Sequence, residues 1–285
     1  MFDADFINEI IPEVASVAPL GRLYRIDAPG GLRWYMRKEG EVKKYYLSAT
    51  SFASATLPAG EGLRRWWKEA INPDEYAARR AEYGTLMQLL FVEISKKGVF
   101  HVKALEEIIE QYPYEEAPAW RHELLKDAAA WAQFMHDNEL RIIAAEFPVW
   151  SDEMHIAGTI DFVVEMNFNK KRINAIIDVK SGKKGFYDSH ELQLEIYRRA
   201  WNENYGKLLE VEYIFNFAPK DWRTAPTYTL KNQTGTIFKE TILQRVQVAK
   251  AEGLFERVPK IISWNYEPVP IAEWEPERVL KIIEI

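Results

Sequence analysis

Residues 158–201 read GTIDFVVEMNFNKKRINAIIDVKSGKKGFYDSHELQLEIYRRAW. Two apolar runs, GTIDFVVEM and RINAIIDVK, flank the polar turn NFNKK, which is the pattern of a β-hairpin. The period then lengthens, and apolar positions three to four apart predict a helix over residues 189–204. Asp161 sits inside the first apolar run and Asp178 closes the second. A carboxylate in such surroundings is costly unless a charge, hydrogen bonds or a metal compensates it. Two of them on adjoining strands can converge on a hard cation such as Mg2+, which takes carboxylate oxygens and keeps several waters. Lys180, two residues beyond Asp178, emerges on the same face of the strand. Its ammonium can orient a water, stabilise charge on a phosphate or, with a lowered pKa, assist deprotonation. Gln193 and Tyr197 are four apart and share one face of the following helix, placed to orient Lys180 or a phosphate. Glu146, at the start of the preceding strand EFPVW, is a further ligand or base candidate, or a partner of Arg141.

Upstream, residues 21–50 carry the strand-like runs LYRI, LRWYMRK and VKKYYLS, broken at Pro29-Gly30-Gly31 and at Gly40, which predicts a small meander. Residues 62–141 turn helical, with several three-to-four patterns separated by short proline or glycine breaks. Downstream, VEYIFNFA reads as a strand, DWRTAPTYTLKN as a loop into a short strand, and residues 236–251 as a helix. The proline-containing end is expected to be extended and capped by a short helix. The expected organisation is a β-rich segment over 1–60, a helical elaboration over 61–145, a core over 146–252 and a C-terminal extension over 253–285.

The chain has 285 residues, 47% hydrophobic and 28% charged, which suits a globular protein with a sizeable core. It contains no cysteine, so disulfides, thiol catalysis, iron–sulfur clusters and cysteine-bound zinc are excluded. No run reaches the roughly 20 apolar residues of a membrane span, and the acidic start MFDADFINEI is unlike a leader, so a cytoplasmic location is expected. A net charge of −6 argues against indiscriminate coating of nucleic acid but leaves room for a local basic groove. His190-Glu191 lacks the second histidine of a zincin helix, and no Walker or G-x-S-x-G motif is present.

The ordered string G-x-x-D (Gly158, Asp161), D-x-K (Asp178, Lys180) and Q-x-x-x-Y (Gln193, Tyr197) resembles the RecB-type branch of the PD-(D/E)XK nucleases, which includes lambda-type phage exonucleases. The resemblance covers residues 45–220. It implies an α/β restriction-endonuclease-like core, a mixed central sheet flanked by helices. It implies Mg2+ or Mn2+ held by Asp161, Asp178 and the Val179 backbone carbonyl. It also matches LSATSF (Ser48, Thr50, Ser51) to a motif opening a helix, and Gly84, Thr85 and Gln88 to a G-T-x-x-H helix with glutamine in place of histidine. The implied activity is exonucleolytic hydrolysis of DNA in recombination, repair or phage DNA metabolism. A homo-oligomer and a recombination partner protein would be in keeping with it.

The bland alternatives are an ion pair for D-x-K and ordinary helix surface for Gln193 and Tyr197. Gln88 in TLMQLLF reads equally as a satisfied buried amide. Lys183 and Lys184 are either a phosphate track or solvated loop residues. Trp66, Trp67, Trp131 and Trp201 suit core packing better than base stacking. The rival function is a non-catalytic DNA-binding or scaffold protein that keeps the fold, which Gln88 favours and the intact Asp161, Asp178 and Lys180 oppose. An RNA-directed or structure-specific nuclease using the same centre is the second rival.

Overall fold

The polar turn between the two apolar runs is two residues long. Asn169 and Lys170 both take positive φ, 49° and 64°, as a two-residue turn must to match the twist of its strands. The computed structural model describes residues 23–27, 32–58, 60–69, 71–97, 102–182, 186–257 and 269–270. In it, β5 (Ile156–Phe168) and β6 (Lys171–Val179) form the expected antiparallel hairpin.

Strand β5 is the hub of a nine-stranded mixed sheet. It pairs antiparallel with β4 (Arg141–Ser151) along most of its length and with β6 at its C-terminal half. Its first residues pair in parallel with β3 (Val42–Ser48) through Leu47↔Ile156 and Ser48↔Ala157. The N-terminal meander of β1 (Leu23–Asp27), β2 (Arg33–Glu39) and β3 is therefore continuous with the main sheet instead of forming a small sheet of its own. On the other side β6 pairs in parallel with β7 (Tyr213–Pro219), which pairs antiparallel with β8 (Tyr228–Asn232). A short strand, β9 (Val269–Pro270), pairs with β1.

Both faces of the hairpin are covered, which explains why its strands read as near-continuous apolar runs. On one face lie α3 (Pro73–Lys97), α4 (Val102–Ile109) and α5 (Ala117–Asp137), packed on Phe162, Val164, Ala175, Ile177 and Val179. Trp131 is fully buried there, stacked on Phe91 at 5.0 Å and edge-on to Phe217 at 5.1 Å. On the other face lie α1 (Ala49–Thr56), α6 (Asp188–Tyr205) and α7 (Lys239–Ala251), packed on Val163, Ile176 and Ile214. Trp201 is fully buried in this layer, so it and Trp131 serve packing and not base stacking. Trp67 is exposed, on α2 (Glu61–Glu69), and the side chain of Trp66 lies outside the described residues. So do residues 1–22, the Pro29-Gly30-Gly31 turn, and the extended C-terminal segment apart from β9. The architecture is the mixed α/β sheet flanked by helices expected of a restriction-endonuclease-like core. Among the described residues no helix is long and apolar enough to cross a membrane.

The end of the hairpin away from the acids is pinned by charge. Glu165 on β5 takes Arg172 of β6 at 2.8 Å and Arg141 of β4 at 3.1 Å. Arg141 is thus paired with Glu165 and not with Glu146, as one sequence reading had it. The Arg172 hydrogen bond, outweighing some burial, holds the Glu165 carboxyl below its ordinary value. A depressed folded-state pKa contributes stability that is present above the unfolded value and lost as pH falls through the folded one. Glu165→Gln is therefore expected to destabilise the protein by roughly 0.5–1 kcal/mol at pH 7. In urea unfolding measured down an acid series, that difference should shrink towards zero below the ordinary glutamate range.

Candidate active site

Strand register assembles the acidic residues into one row across the sheet. Phe162 pairs with Ile177, which makes Asp161 and Asp178 the next opposed positions on β5 and β6. Asp178 in turn pairs with Asn216 of β7, and Asn216 with Lys231 of β8. On β4, Ala145 and Phe147 pair with Phe162 and Ile160, so Glu146 falls opposite Asp161. Glu146 has φ +50° in the middle of a strand, a conformation that a non-glycine residue adopts at a cost and that is concentrated at functional sites.

Hydrogen bonds tie the row together. The Val179 N–H donates to Asp161 Oδ2 at 2.7 Å. Lys180 Nζ contacts both Asp178 oxygens, at 2.8 and 3.0 Å, and Asn216 Nδ2 donates to Asp178 Oδ2 at 2.7 Å. Gln233 Nε2 then donates to Asn216 Oδ1 at 2.8 Å, forming a buried amide relay behind the carboxylate. Gln88, reaching across from α3, hydrogen-bonds Glu146 and also Asp161.

The electrostatics follow from crowding. Burial, and then the neighbouring Asp178 charge, pushes Asp161 up to about 7. Burial and then Asp161 push Glu146 up to about 8 against the Gln88 hydrogen bond. Burial also raises Asp178, although Lys180 and Asn216 pull it back. Burial alone would lower the Lys180 amine, but Asp178 and Asp161 overcome it and the amine is raised. In this arrangement the two aspartates favour the ammonium form of Lys180. Burial, then Lys180 and Lys231, bring His190 down to about 3. That leaves a neutral imidazole whose Nδ1 accepts the Tyr187 N–H at the start of α6.

Helix α6 lays Gln193 and Tyr197 over the row, and the two bind each other, Gln193 Nε2 to Tyr197 Oη at 2.9 Å. The phenol is buried, and it explains the glycine of the first motif. A Cβ on Gly158 would lie 2.4 Å from Tyr197 Cε1 and 2.8 Å from its hydroxyl. Gly158 is therefore the residue that lets the tyrosine sit across β5. Two hydroxyls of the LSATSF segment are spent within the fold: Ser48 Oγ caps α1 by accepting the Ser51 N–H at 2.9 Å, and Ser51 Oγ accepts the Arg33 N–H at 2.8 Å. Thr50 is exposed, while Lys183 and Lys184 lie outside the described residues.

Sequence reasoning missed three participants. Asn216 sits in the apolar run YIFNFA, where a buried amide carries the same signal that singled out Asp178. Gln233 follows β8 with no periodic pattern to mark it. Arg80 is two helical turns before Gln88, and its guanidinium donates to the Ser181 carbonyl at 3.2 Å.

A model of the PD-(D/E)XK nuclease superfamily matches residues 32–271, and the chain belongs to that superfamily. No curated protein matches the sequence closely enough to narrow the assignment.

The Gly158–Tyr197 contact generates a test. Gly158→Ala is expected to destabilise the protein by about 1–3 kcal/mol through overpacking and to displace the tyrosine. In Tyr197→Ala protein the same change should cost much less, so that a double-mutant cycle in denaturant unfolding shows strong coupling. Additive effects would mean that the two residues do not meet.

Proposed function

We propose that the chain is a divalent-metal-dependent deoxyribonuclease of the RecB-type, lambda-exonuclease-like branch, hydrolysing phosphodiester bonds from DNA ends in recombination, repair or phage DNA metabolism in the cytoplasm. The observation that carries the reading is the meeting of Asp161, Asp178 and Lys180 at the end of one hairpin, in the order and spacing of the family's motif.

The donor set fits a hard cation. Asp161 and Glu146 are neighbouring, half-buried carboxylates that repel each other and whose partners are an amide and a peptide N–H, since Lys180 is engaged by Asp178. Among the described residues no group of three or more acidic or imidazole side chains forms a ready-made metal cage. Mg2+ does not need one, because it binds through one or two carboxylates and retained waters. Asp161, Asp178 and the Val179 carbonyl would hold Mg2+ or Mn2+, with Glu146 and the Gln88 amide beside them. Bound there, the ion would lower the pKa of a coordinated water and neutralise phosphate charge.

The protein's own groups divide the remaining work. Lys180, kept charged by the aspartates, stabilises negative charge building on the phosphate. Asn216, itself held by Gln233, fixes the rotamer of Asp178. Gln88 holds Glu146 and Asp161, the place a histidine takes in the related motif, and so bonds ligands instead of replacing one. Gln193 and Tyr197 roof the row and keep bulk water from it.

End-labelled linear DNA and closed circular DNA incubated with Mg2+ or Mn2+ test the reading. The linear form is expected to be shortened and the circle spared, and Asp178→Ala or Lys180→Ala should lower the rate by roughly 100-fold or more. In calorimetry, Asp161→Asn is expected to abolish Mn2+ binding. Degradation unchanged by all three substitutions would refute the proposal.

A further inference from the structure

We infer that Arg80 is a substrate-binding residue, a preset clamp for a DNA backbone phosphate flanking the cleaved bond, and this rests on the nuclease reading of the hairpin. Its place in the fold comes first. Helix α3 crosses the site with one row of residues, Arg80, Gly84 and Gln88, at successive four-residue steps and so on one face. Gln88 reaches Glu146 and Asp161, a Cβ on Gly84 would lie 3.4 Å from Ser181 Oγ, and Arg80 holds the Ser181 carbonyl at 3.2 Å. Ser181 directly follows Lys180. Arg80 therefore stands where the catalytic strand leaves the sheet.

The guanidinium is prearranged. One face lies over the Tyr83 ring at 4.2 Å, and Tyr83 is itself buried and locked by its hydroxyl on Asp127 at 2.5 Å. One edge is spent on the Ser181 carbonyl, and Glu123 forms a loose ion pair at 3.9 Å. Its neighbour Arg79 differs, with Glu75 at 3.3 Å and Glu116 at 2.9 Å. The Arg80 side chain is 30% exposed, so it can be reached from solvent beside the site. A planar cation held by stacking matches phosphate geometry and loses little freedom on binding. The site also needs such a group. Lys180 is shared with Asp178, so a second cation beside the row adds to the attraction for an incoming phosphate.

The salt dependence of DNA affinity measures phosphate contacts, and a residue acting only as a loop anchor would not change it. Fluorescence anisotropy of a labelled duplex and a labelled single strand is followed from low to high salt. The proteins are Asp178→Asn, which prevents turnover, and the same protein carrying Arg80→Ala or Arg80→Lys. Arg80→Ala is expected to weaken binding by roughly tenfold. It should reduce the slope of log affinity against log salt by about 0.9 for duplex or about 0.7 for single strand. Arg80→Lys should restore the slope, because it restores the charge. Coincident slopes for Arg80→Ala and its parent overturn the inference, and so does a slope change that Lys does not rescue. Cleavage by the unsubstituted protein is assayed in parallel. If that protein cleaves while the slopes coincide, only the role of Arg80 falls; if it neither cleaves nor binds DNA, the nuclease reading falls with it.

Discussion

The repulsion between Asp161 and Asp178 organises everything near it. Opposed residues on antiparallel strands bring their side chains to roughly 5 Å, where two like charges at an effective dielectric of about 20 repel by about 3 kcal/mol. That is a large fraction of a domain's whole stability, so the charges cannot be left unanswered. Each answer is visible. Lys180 and Asn216 take Asp178, and the Val179 N–H and Gln88 take Asp161. Glu146, opposite Asp161 on the other strand, has Gln88 as its hydrogen-bond partner, and burial with mutual repulsion pushes both carboxyls up, Glu146 to about 8 and Asp161 to about 7.

The same constraint accounts for the surrounding framework. The acids sit side by side in a sheet that is covered on both faces, by α3 and α5 on one and α6 on the other. Alternation then sorts β6 cleanly: Ala175, Ile177 and Val179 face α3 and α5, while Ile176 packs with the α6 layer, on the side to which Asp178 and Lys180 also belong. The cost of placing polar groups there is met by closing the hydrogen bonds over several residues, from Lys180 through Asp178 and Asn216 to Gln233. A half-satisfied chain of this kind would be worse than an apolar core, and the relay is the reason β7 carries an asparagine between two buried phenylalanines.

The hairpin, the helix after it and the three central residues were legible because each breaks a strong local pattern: a charge in an apolar run announces itself. Register did the rest, since a period of two puts Lys180 with Asp178 without knowledge of any other element. What was not legible depends on contacts between distant elements. Nothing around Gln233 hints that it will sit behind Asn216, and Glu146 could be set beside Asp161 only once the β4–β5 register was known. Its pairing with Arg141 was reasonable by proximity in sequence, yet Glu165 lies directly across from Arg141 in the ladder and wins. The meander looked like a separate small sheet because two parallel pairings, Leu47↔Ile156 and Ser48↔Ala157, join it to β5 across more than a hundred residues. The glycine of G-x-x-D was recognisable as a motif letter, but its reason, a tyrosine ring laid across the strand, exists only in three dimensions.

Helix α3 shows how an elaboration outside the sheet comes to border the acidic row. Its buried residues Tyr83, Met87 and Phe91 fix its depth, and an adjacent row then has no freedom in what it faces: Gln88 meets the acids, Gly84 passes Ser181, and Arg80 meets the backbone beyond Lys180. Tyr83 belongs to both sets, because its ring carries Arg80 while its hydroxyl is anchored on Asp127 of α5. The position of Arg80 is therefore set by the packing of α3 on α5, well away from the strands that hold the aspartates. In a chain with a net charge of −6, attraction for a polyanion has to come from a few cations placed where they count, and rigid placement is worth more than number. Fixing the Arg80 guanidinium by packing places the entropic cost of its orientation on folding, where the core supplies it.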